Sequence, residues 1–531
     1  MQKPLHYPLA NSDSLPRWRD QLSQRFPFES APPETYQVHY YDSFDWLLFQ
    51  AGKVLTWRQQ NADSQLSLLG TGDNSTRTAI HLEQEPCRFA ADLPPGQLRQ
   101  ELDSLLGLRA FLPVATIETR SLGSRWIDKE GKTRLRLYLE HHRLVQPGGK
   151  HSTLCKRIRV VPLQGYAKTA KKLMNLLEKE LGLCPQEQDL LNLALASMHI
   201  IPGGYSSKLA IPLEPELRAD AAMRRILLTL LEAMEVNEAG TIANLDTEFL
   251  HDFRVAVRRT RSALGQMKTV YPPATLARFR DKFAWLGSIT SPTRDLDVYL
   301  LKFENYREQL PEALQADLEP LRTFLNRHHE QEQTRLSREL QTARYRQLKS
   351  QWRRYLTSPL PKRPATGDAR GSIGEVGPRR TWRMYKRVLR EGRAITPESP
   401  AEDLHELRKS GKKLRYMMEF FQRLYPAKKI RALIKELKGL QENLGDFQDL
   451  EVQIQTLNQY SEQMKQEGDM TPRTELAMDI LLKSLETRMQ EVRDIFDSRF
   501  RQFACKSNEK HFRELFKPEP VKPEPGLKIT P

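Results

Sequence analysis

Cysteine is scarce in this chain of 531 residues, with four in all, and none of them stands in a C-x-x-C or Cys/His metal-ligand spacing. This usage is typical of a reducing compartment and argues against a disulfide framework and against structural zinc. The sequence has no run of about 18 apolar residues, and its first residues lack the apolar core of a leader peptide. We therefore expect a cytoplasmic protein without a membrane partner.

Acidic residues are fewer than basic residues, 67 against 83 lysines and arginines, so the formal net charge is +16. The basic residues are interleaved with apolar residues at helical spacing and do not form a disordered tail. A charge of this sign indicates an anionic partner, such as nucleic acid, anionic lipid or another polyanion. The length allows about two to four domains with proper cores.

The predicted secondary structure changes along the chain. Residues 1–200 alternate strand-like segments with turn signals, and a helix is expected from Tyr166 to Leu181. Most of the remainder has helical periodicity, which predicts a multidomain α+β protein. We divide that remainder into a first helical region at 205–356, an exposed and mobile Pro/Gly-rich connection at 357–379, a second helical region at 380–515, and a disordered Pro-rich tail at 516–531.

One helical segment occurs twice, 154 residues apart. The first copy begins H-D-F-R-V-A-V-R-R-T-R at residues 251–261, and the second begins H-E-L-R-K-S-G-K-K-L-R at 405–415. The same offset holds through a Tyr-Pro pair and through the acidic segments at 295–298 and 449–452. A gap-free match over about 48 positions indicates two copies of one helical unit.

Each copy places a row of cations beside an apolar stripe. At about 100° per residue, His251, Arg254, Arg258 and Arg261 fall within an arc of roughly 80°. The stripe beside them is predicted to be buried and contains Leu250, Phe253, Val257 and Leu264, with Leu404, Leu407, Leu414 and Met418 in the second copy. Asp246 and Ser399 are the predicted N-caps of the two helices. The candidate site residues are His251, Arg254, Arg258, Arg259, Arg261, Arg294, His405, Arg408, Lys409, Lys412, Lys413 and Arg415.

These residues also allow other interpretations. A single basic row is usually a solvated helix face, but two rows in register, with Asp252 as the one carboxylate near the first, favour anion binding. His251 and His405 are interpreted as packing or anion-contacting residues, with metal binding less favoured because no second ligand stands at the required spacing. The acids at 295, 297, 449 and 451 are expected to orient arginines from a neighbouring helix, in preference to forming a catalytic carboxylate pair.

The two H-x-x-R-x-x-x-[RK]-x-x-R helices, each followed by an Asp-Leu-[Asp/Glu]-Val segment, resemble the CHAD family. The resemblance covers roughly residues 213–510, and residues 294–297 match the family's R-D-L-D run. It implies an all-α bundle of two pseudo-symmetric four-helix repeats whose basic surface binds inorganic polyphosphate.

Residues 40–47 and 54–58 resemble the CYTH or triphosphate tunnel family, a β-barrel often fused ahead of CHAD. In that family an E-x-E-x-K strand holds the catalytic divalent metal, whereas Gln2-Lys3-Pro4-Leu5-His6 has no acid here. The later acidic strand is replaced by residues 155–162, which begin Cys-Lys-Arg-Ile-Arg. Because Mg²⁺ needs oxygen ligands, we expect a degenerate barrel that holds no metal.

The resulting prediction is non-catalytic binding of inorganic polyphosphate by the paired basic helices, without cofactor. One alternative is an inorganic triphosphatase that uses the N-terminal barrel. The other is an RNA- or DNA-binding protein, although no nucleic-acid motif appears and aromatic residues are not interleaved with the basic rows. Nucleic acid is retained as a competing polyanion, and polyphosphate granules are the expected place of concentration in the cytoplasm. The oligomeric state is not predicted.

Overall fold

The computed structural model describes residues 4–60, 63–70, 78–146, 148–187, 189–206, 211–364 and 366–518. The chain divides into two compact units, residues 1–206 and 207–531. The first is built on strands and the second on helices. Gln2 and Lys3, in the segment compared with the metal-binding strand of the CYTH family, lie outside the described residues, and so does the predicted Pro-rich tail from residue 519 on.

The first unit contains one antiparallel sheet of nine strands. The strands are β1 Leu5–Leu9, β2 Phe28–Ser30, β3 Glu34–Asp42, β4 Lys53–Gln60, β5 Asp63–Gly70, β6 Thr78–His81, β7 Leu112–Ile127, β8 Thr133–Val145 and β9 His151–Pro162. Their order is β1-β9-β8-β7-β3-β4-β5-β6, with β2 paired to β7.

The sheet of the expected degenerate barrel is not closed in the part of the chain that the structure describes. Closure requires the two end strands of a sheet to pair with each other. Here β1 pairs with β9 and β6 with β5, and the two end strands do not pair together. Both end strands are short, with five and four residues, so each offers few hydrogen bonds for closure.

Five helices accompany the sheet: α1 Leu15–Arg25, α2 Leu47–Gln50, α3 Gln97–Leu106, α4 Ala167–Asn175 and α5 Leu190–Ser197. Helices α1 and α4 pack on β8, where Leu22 and Leu173 share a core with Leu137 and Ile158. Helix α4 continues as a π-helical turn at Leu176–Glu180, which confirms the helix predicted at the end of this region.

The second unit is helical. Its helices are α6 Ala219–Ile242, α7 Thr247–Gln266, α8 Pro273–Ile289, α9 Ser291–Glu308, α10 Glu319–Leu340, α11 Ala343–Thr357, α12 Gly367–Arg370, α13 Ile373–Arg393, α14 Ala401–Phe421, α15 Ala427–Glu467, α16 Pro472–Asp494, α17 Phe496–Phe503 and α18 Lys506–Phe516. Among the residues that the structure describes, no helix combines the length and the apolar character needed to cross a bilayer.

The two predicted helix caps have different outcomes. The Asp246 carboxylate accepts hydrogen bonds from the backbone N–H groups of Glu248 and Phe249, so it caps α7 as predicted. The predicted cap at Ser399 is wrong, because its hydroxyl accepts a hydrogen bond from the Thr396 backbone N–H at 3.0 Å. The residue before α14 is Pro400, which makes no side-chain cap.

The apolar stripes of α7 and α14 are buried as predicted. Phe253 and Val257 of α7 lie in a core with α6, α8 and α11. Helix α14 contributes to two cores, with Tyr416 and Met417 in the first and Leu414 and Met418 in another that contains α15. Because α14 is buried on these sides, its cations are restricted to the remaining surface.

The two sequence copies do not fold into identical helices. In the first copy α8 ends at Ile289 and α9 begins at Ser291, with Pro292 in its first turn. At the same offset, the second copy has the single helix α15 of 41 residues. Proline cannot donate the helical hydrogen bond and disrupts a continuing helix, whereas Asp446 occupies that position in the second copy.

The Pro/Gly-rich stretch at 357–379 is an exposed connection only in its first part. Helices α12 and α13 begin within it, and Ala369, Ile373 and Val376 are buried in the core that α6 shares with α14. A Cβ atom at Gly377 would lie 3.2 Å from the Phe421 ring, so this glycine serves close helix packing. The second helical region therefore starts at Ile373, not at residue 380.

Candidate anion-binding site

Helices α7 and α14, which carry the two basic rows, pack against each other. Between them and α15 lies a cavity of about 690 Å³. Its lining includes His251, Asp252, Val255, Arg258, Arg259, Arg415, Tyr416, Glu419, Gln422, Arg431, Ile434, Lys435 and Lys438. Both copies of the sequence repeat therefore contribute cations to one cavity.

The two basic rows lie within electrostatic reach of each other. Burial and the positive charges of Arg408, Arg258 and Arg415 together lower the pKa of Lys412 to about 8, against an opposing effect of Asp449. Of these residues, Arg258 belongs to the first copy and the others to the second. An anion bound among these cations would favour the charged form of Lys412.

Arg254 and Arg408 hold the same position in the two copies but have different partners. Arg254 donates hydrogen bonds to the hydroxyls of Thr290 and Ser291 at 3.0 Å each. Burial lowers its pKa to about 10, with Asp295 opposing that shift. Arg408 instead donates to Gln448 Oε1 at 2.9 Å and to Asp449 Oδ1 at 3.1 Å. Both arginines are oriented by the chain and are only partly available to a ligand.

Gly445 makes room for the Arg408 guanidinium. A Cβ atom at this position would lie 3.2 Å from Arg408 Nη2. Gly287 has the same effect in the first copy, where a Cβ atom would lie 2.8 Å from Nη1 of the exposed Arg261. Glycines on the neighbouring helices thus permit close approach of two of the predicted cations.

One carboxylate joins the two copies. Glu419 of α14 lies 3.0 Å from Arg259 of α7 and 3.5 Å from Arg415 of its own helix. Asp252 is the one carboxylate near the first row in the sequence, and the packing of α7 on α14 adds Glu419 from the second copy. Glu419 is 160 residues away from Arg259 in the sequence, so only the packing of α7 on α14 reveals the pair.

Both predicted histidines contact charged side chains of the protein. His405 Nε2 lies 2.5 Å from Glu451 Oε2 of the same copy. In the first copy Arg294 Nη2 donates to His251 Nδ1 at 3.1 Å, and the acid Asp297 is bound instead by His329 of α10 at 2.8 Å. No motif in the sequence pointed to His329. Among the described residues, no group of three or more His, Cys, Asp or Glu side chains could hold a metal ion.

The expectation that the acidic segments orient arginines from a neighbouring helix holds for Asp449 of α15, whereas Asp297 lies on the same helix as Arg294. Asp297 lies 3.7 Å from Arg294, and Asp449 lies 3.1 Å from Arg408. Burial raises the pKa of Asp295, against the opposing positive charge of Arg254.

Two predicted lysines lie away from the cavity. Lys409 is paired with Glu406 at 2.7 Å and with Glu402 at 3.7 Å. Lys413 is half-buried, and with Arg387 of α13 it lowers the pKa of Glu406, although the hydrogen bond from Lys409 is the largest cause. Lys413 therefore faces the α13 side of its helix.

Helix α15 contributes three cations that were not among the predicted site residues. Arg431, Lys435 and Lys438 are exposed, line the cavity, and make no ion pair with any residue in the described part of the chain. Their spacing of four and three residues puts them on one helix face. This spacing, directly after the Tyr425-Pro426 pair, is the feature of the sequence that could have indicated the row.

The first unit has a separate polar cluster around Glu140 of β8, which is 1% exposed. Arg157 and Arg159 of β9 donate to its two oxygens at 2.8 and 2.7 Å. His142 Nε2 lies 3.2 Å from the same carboxylate. These partners hold the Glu140 pKa well below its usual range in spite of burial, the opposing and largest effect. Burial lowers the pKa of nearby His6 to about 4, helped by Arg157.

A family model described as the CHAD domain matches residues 225–458. The crystal structure of the CHAD domain from the plant Ricinus communis is 27% identical, covering 55% of this chain and 94% of that chain with a TM-score of 0.46. PptA from Streptomyces chartreusis is 14% identical, covering 54% and 100% with a TM-score of 0.43. A putative adenylyl cyclase from Hippeastrum with a dominant triphosphatase activity is 16% identical, covering 38% and 99% with a TM-score of 0.28. No curated protein matches the chain.

The matched residues run from α6 into α15 and include both basic helices with both acidic segments. They confirm the family that the two H-x-x-R helices predicted. The chain contains a CHAD domain, at residues 225–458 of its helical unit.

Proposed function

We propose that the helical unit binds inorganic polyphosphate, without catalysis, in a basic groove formed by α7, α14 and α15. The observation that carries this proposal is the charge of the cavity between these helices. Its lining has six lysine and arginine side chains against the two carboxylates of Asp252 and Glu419. An uncompensated positive surface of this kind attracts anions and steers their approach.

A linear polyanion suits the arrangement better than a small one. Arg431, Lys435 and Lys438 form a row along α15, and residues three and four apart on a helix face are about 5 to 6 Å apart. Arginine offers bidentate contacts to phosphate oxygens, and lysine acts as a point charge. Polyphosphate carries a charge on each repeating unit, so neighbouring phosphates can contact successive side chains.

The proposed groove uses both copies of the sequence repeat, in line with the pseudo-symmetric arrangement that the CHAD resemblance implies. Arg258 comes from the first copy, and Arg415 with the α15 row comes from the second. The carboxylate of Glu419 holds Arg259 and Arg415 in position across the boundary. The exposed and unpaired cations then supply most of the ligand contacts.

Neutralising groove cations that the fold does not use tests this function. Arg258, Lys435 and Lys438 are exposed and make no ion pair within the described residues. The triple variant Arg258→Gln, Lys435→Gln, Lys438→Gln should lose three phosphate contacts. The slope of log affinity against log salt concentration should therefore flatten by about 2 units, with the coefficient for single-stranded nucleic acid applied to polyphosphate. Binding by the full chain is measured over a range of salt concentrations.

A matched control removes the same charge elsewhere. Arg280, Lys483 and Lys506 are exposed cations on α8, α16 and α18. If their joint replacement by Gln weakens binding as much as the groove variant does, net charge and not the groove determines affinity.

Competition by RNA at equal phosphate concentration separates a polyphosphate binder from a nucleic-acid binder.

We further propose that the first unit does not hydrolyse triphosphate. The CYTH resemblance implies a divalent metal held by strand carboxylates, but β1 presents His6 and Tyr7, and β9 presents Arg157 and Arg159. Glu140, which is deeply buried, is already bound by both arginines. A carboxylate engaged in this way is a poor ligand for Mg²⁺, so these residues do not fit the group.

The proposed place of action is the cytoplasm, with concentration on polyphosphate granules. A fluorescent fusion of the full chain should form foci in cells that accumulate the polymer. Foci that persist in cells unable to make polyphosphate would assign the protein to another partner.

A further inference from the structure

Helix α13 carries a concentration of positive charge that the other copy lacks. It has seven lysines and arginines and two acids over 21 residues. Helix α6, which precedes the first basic helix, has Arg224 and Arg225 as its cations and four acids. The charge of α13 is therefore not a general property of the repeat.

The cations of α13 line a cavity of their own, of about 590 Å³. None of its described lining residues is a carboxylate, and they include Arg380, Arg383, Lys386, Arg387, Arg390 and Met417. It shares no residue with the groove. On α14 the groove uses Arg415 and Glu419, whereas this cavity uses Met417, which at about 100° per residue points roughly to the opposite side of the helix.

The five cations of this cavity differ in whether the described part of the chain pairs them. Arg380 is paired with Asp368 and Arg387 with Glu391, each at 2.5 Å. Arg383, Lys386 and Arg390 are exposed and form no ion pair with any residue in the described ranges. They stand three and four residues apart on one helix face, where like charges repel one another. A bound polyanion would relieve that repulsion.

Positive charge continues from the groove to this cavity across α14. Lys412 stands three residues before the groove residue Arg415 on α14, and the positive charges of Arg408, Arg258 and Arg415 act on it. The next residue, Lys413, acts together with Arg387 of α13 on Glu406. An extended anion that passes from the groove over Lys412 and Lys413 meets these two cations, with the carboxylate of Glu406 beside them, before it reaches α13.

We propose that Arg383, Lys386 and Arg390, here called the α13 face, form a second contact site for the same polyphosphate chain. The chain passes over α14 and occupies the groove and the α13 face together. The inference rests on the proposed function. Once one site holds the polymer, the second contact becomes intramolecular, so avidity rises without a second free ligand. Long chains are then held more tightly than short ones.

The variant Arg383→Gln, Lys386→Gln, Arg390→Gln tests the inference in the full chain. Its affinity for long-chain polyphosphate should fall about tenfold or more, with a salt slope shallower by about 2 units. Tripolyphosphate is shorter than the roughly 10 Å width of a helix and cannot span α14, so its affinity should change much less. The variant at Arg280, Lys483 and Lys506 is again the matched control, and thermal unfolding monitored by circular dichroism verifies that all variants are folded.

The outcomes separate the two proposals. If the wild-type chain binds no polyphosphate, the proposed function fails and this inference fails with it. If the wild type binds and the α13 variant equals the matched control, the inference alone is overturned. Loss of RNA binding with intact polyphosphate binding also overturns it, because the α13 face would then serve nucleic acid.

Discussion

Arg259 and Glu419 form an ion pair of 3.0 Å that links the two copies of the repeat. Both side chains are mostly buried, 15% and 13% exposed, and Glu419 is shared with Arg415. The pair has two consequences. It stabilises the packing of α7 on α14, and it lowers the positive charge of the groove at one point.

Replacing Glu419 by Gln should therefore change stability and affinity in opposite directions. The free energy of unfolding should fall by about 1 to 3 kcal/mol, because two partly buried guanidinium groups lose their carboxylate. Polyphosphate affinity should rise, since the groove gains one net positive charge. Urea unfolding and binding titrations measure the two effects. The control is Glu491→Gln, the same change at an exposed position of α16. Weaker binding at unchanged stability would contradict the assigned role of Glu419.

Lys412 should make binding depend on pH. Its pKa is about 8 because burial and the charges of Arg408, Arg258 and Arg415 disfavour its protonated form, against the effect of Asp449. A bound polyanion favours the protonated form, so its pKa rises on binding. Affinity should then be constant below pH 8 and fall as the pH rises above that value. Titrations between pH 7 and about 9.5 measure this dependence.

The variant Lys412→Arg provides the control for this prediction, because arginine stays charged over the whole range. Its affinity should lose the decline above pH 8. An identical pH profile in the variant and the wild type would mean that another group titrates.

Arg254 and Arg258 stand one helical turn apart and should respond differently to the same substitution. Arg254 donates to Thr290 and Ser291, so Arg254→Gln should cost about 1 to 3 kcal/mol of stability by leaving hydroxyl partners unmatched. Arg258 is exposed, and Arg258→Gln should change stability by less than about 0.5 kcal/mol while it weakens polyphosphate binding. Thermal or urea unfolding of the two variants separates a positioning residue from a ligand contact. Equal losses of stability would contradict the assignment.

The purified chain should show no metal-dependent hydrolysis of triphosphate above a buffer control. The reason is that Arg157 and Arg159 occupy the Glu140 carboxylate and that β1 offers no acid. Phosphate release is measured with Mg²⁺ and with Mn²⁺. A turnover of even about 1 s⁻¹, an ordinary enzyme rate, would overturn the proposal for the first unit.

The local features of the helical unit followed from the sequence. Phe253 and Leu414 are buried because apolar residues at helical spacing form a stripe that must leave water. Asp246 caps α7 because its carboxylate reaches the free backbone N–H groups of the first turn. The CHAD domain could also be predicted from the sequence, because each of its basic rows lies along a single helix.

Features that join distant parts of the chain were decided only by the tertiary structure. Glu419 reaches Arg259 across 160 residues, and the α15 row enters the groove because α15 packs beside α14. The open sheet likewise depends on which end strands meet, and the Glu140 cluster on the pairing of β8 with β9. Periodicity along one element determines which face of that element is polar or apolar. It carries no information on which other element brings the opposite charge, because that depends on the packing of whole helices and strands.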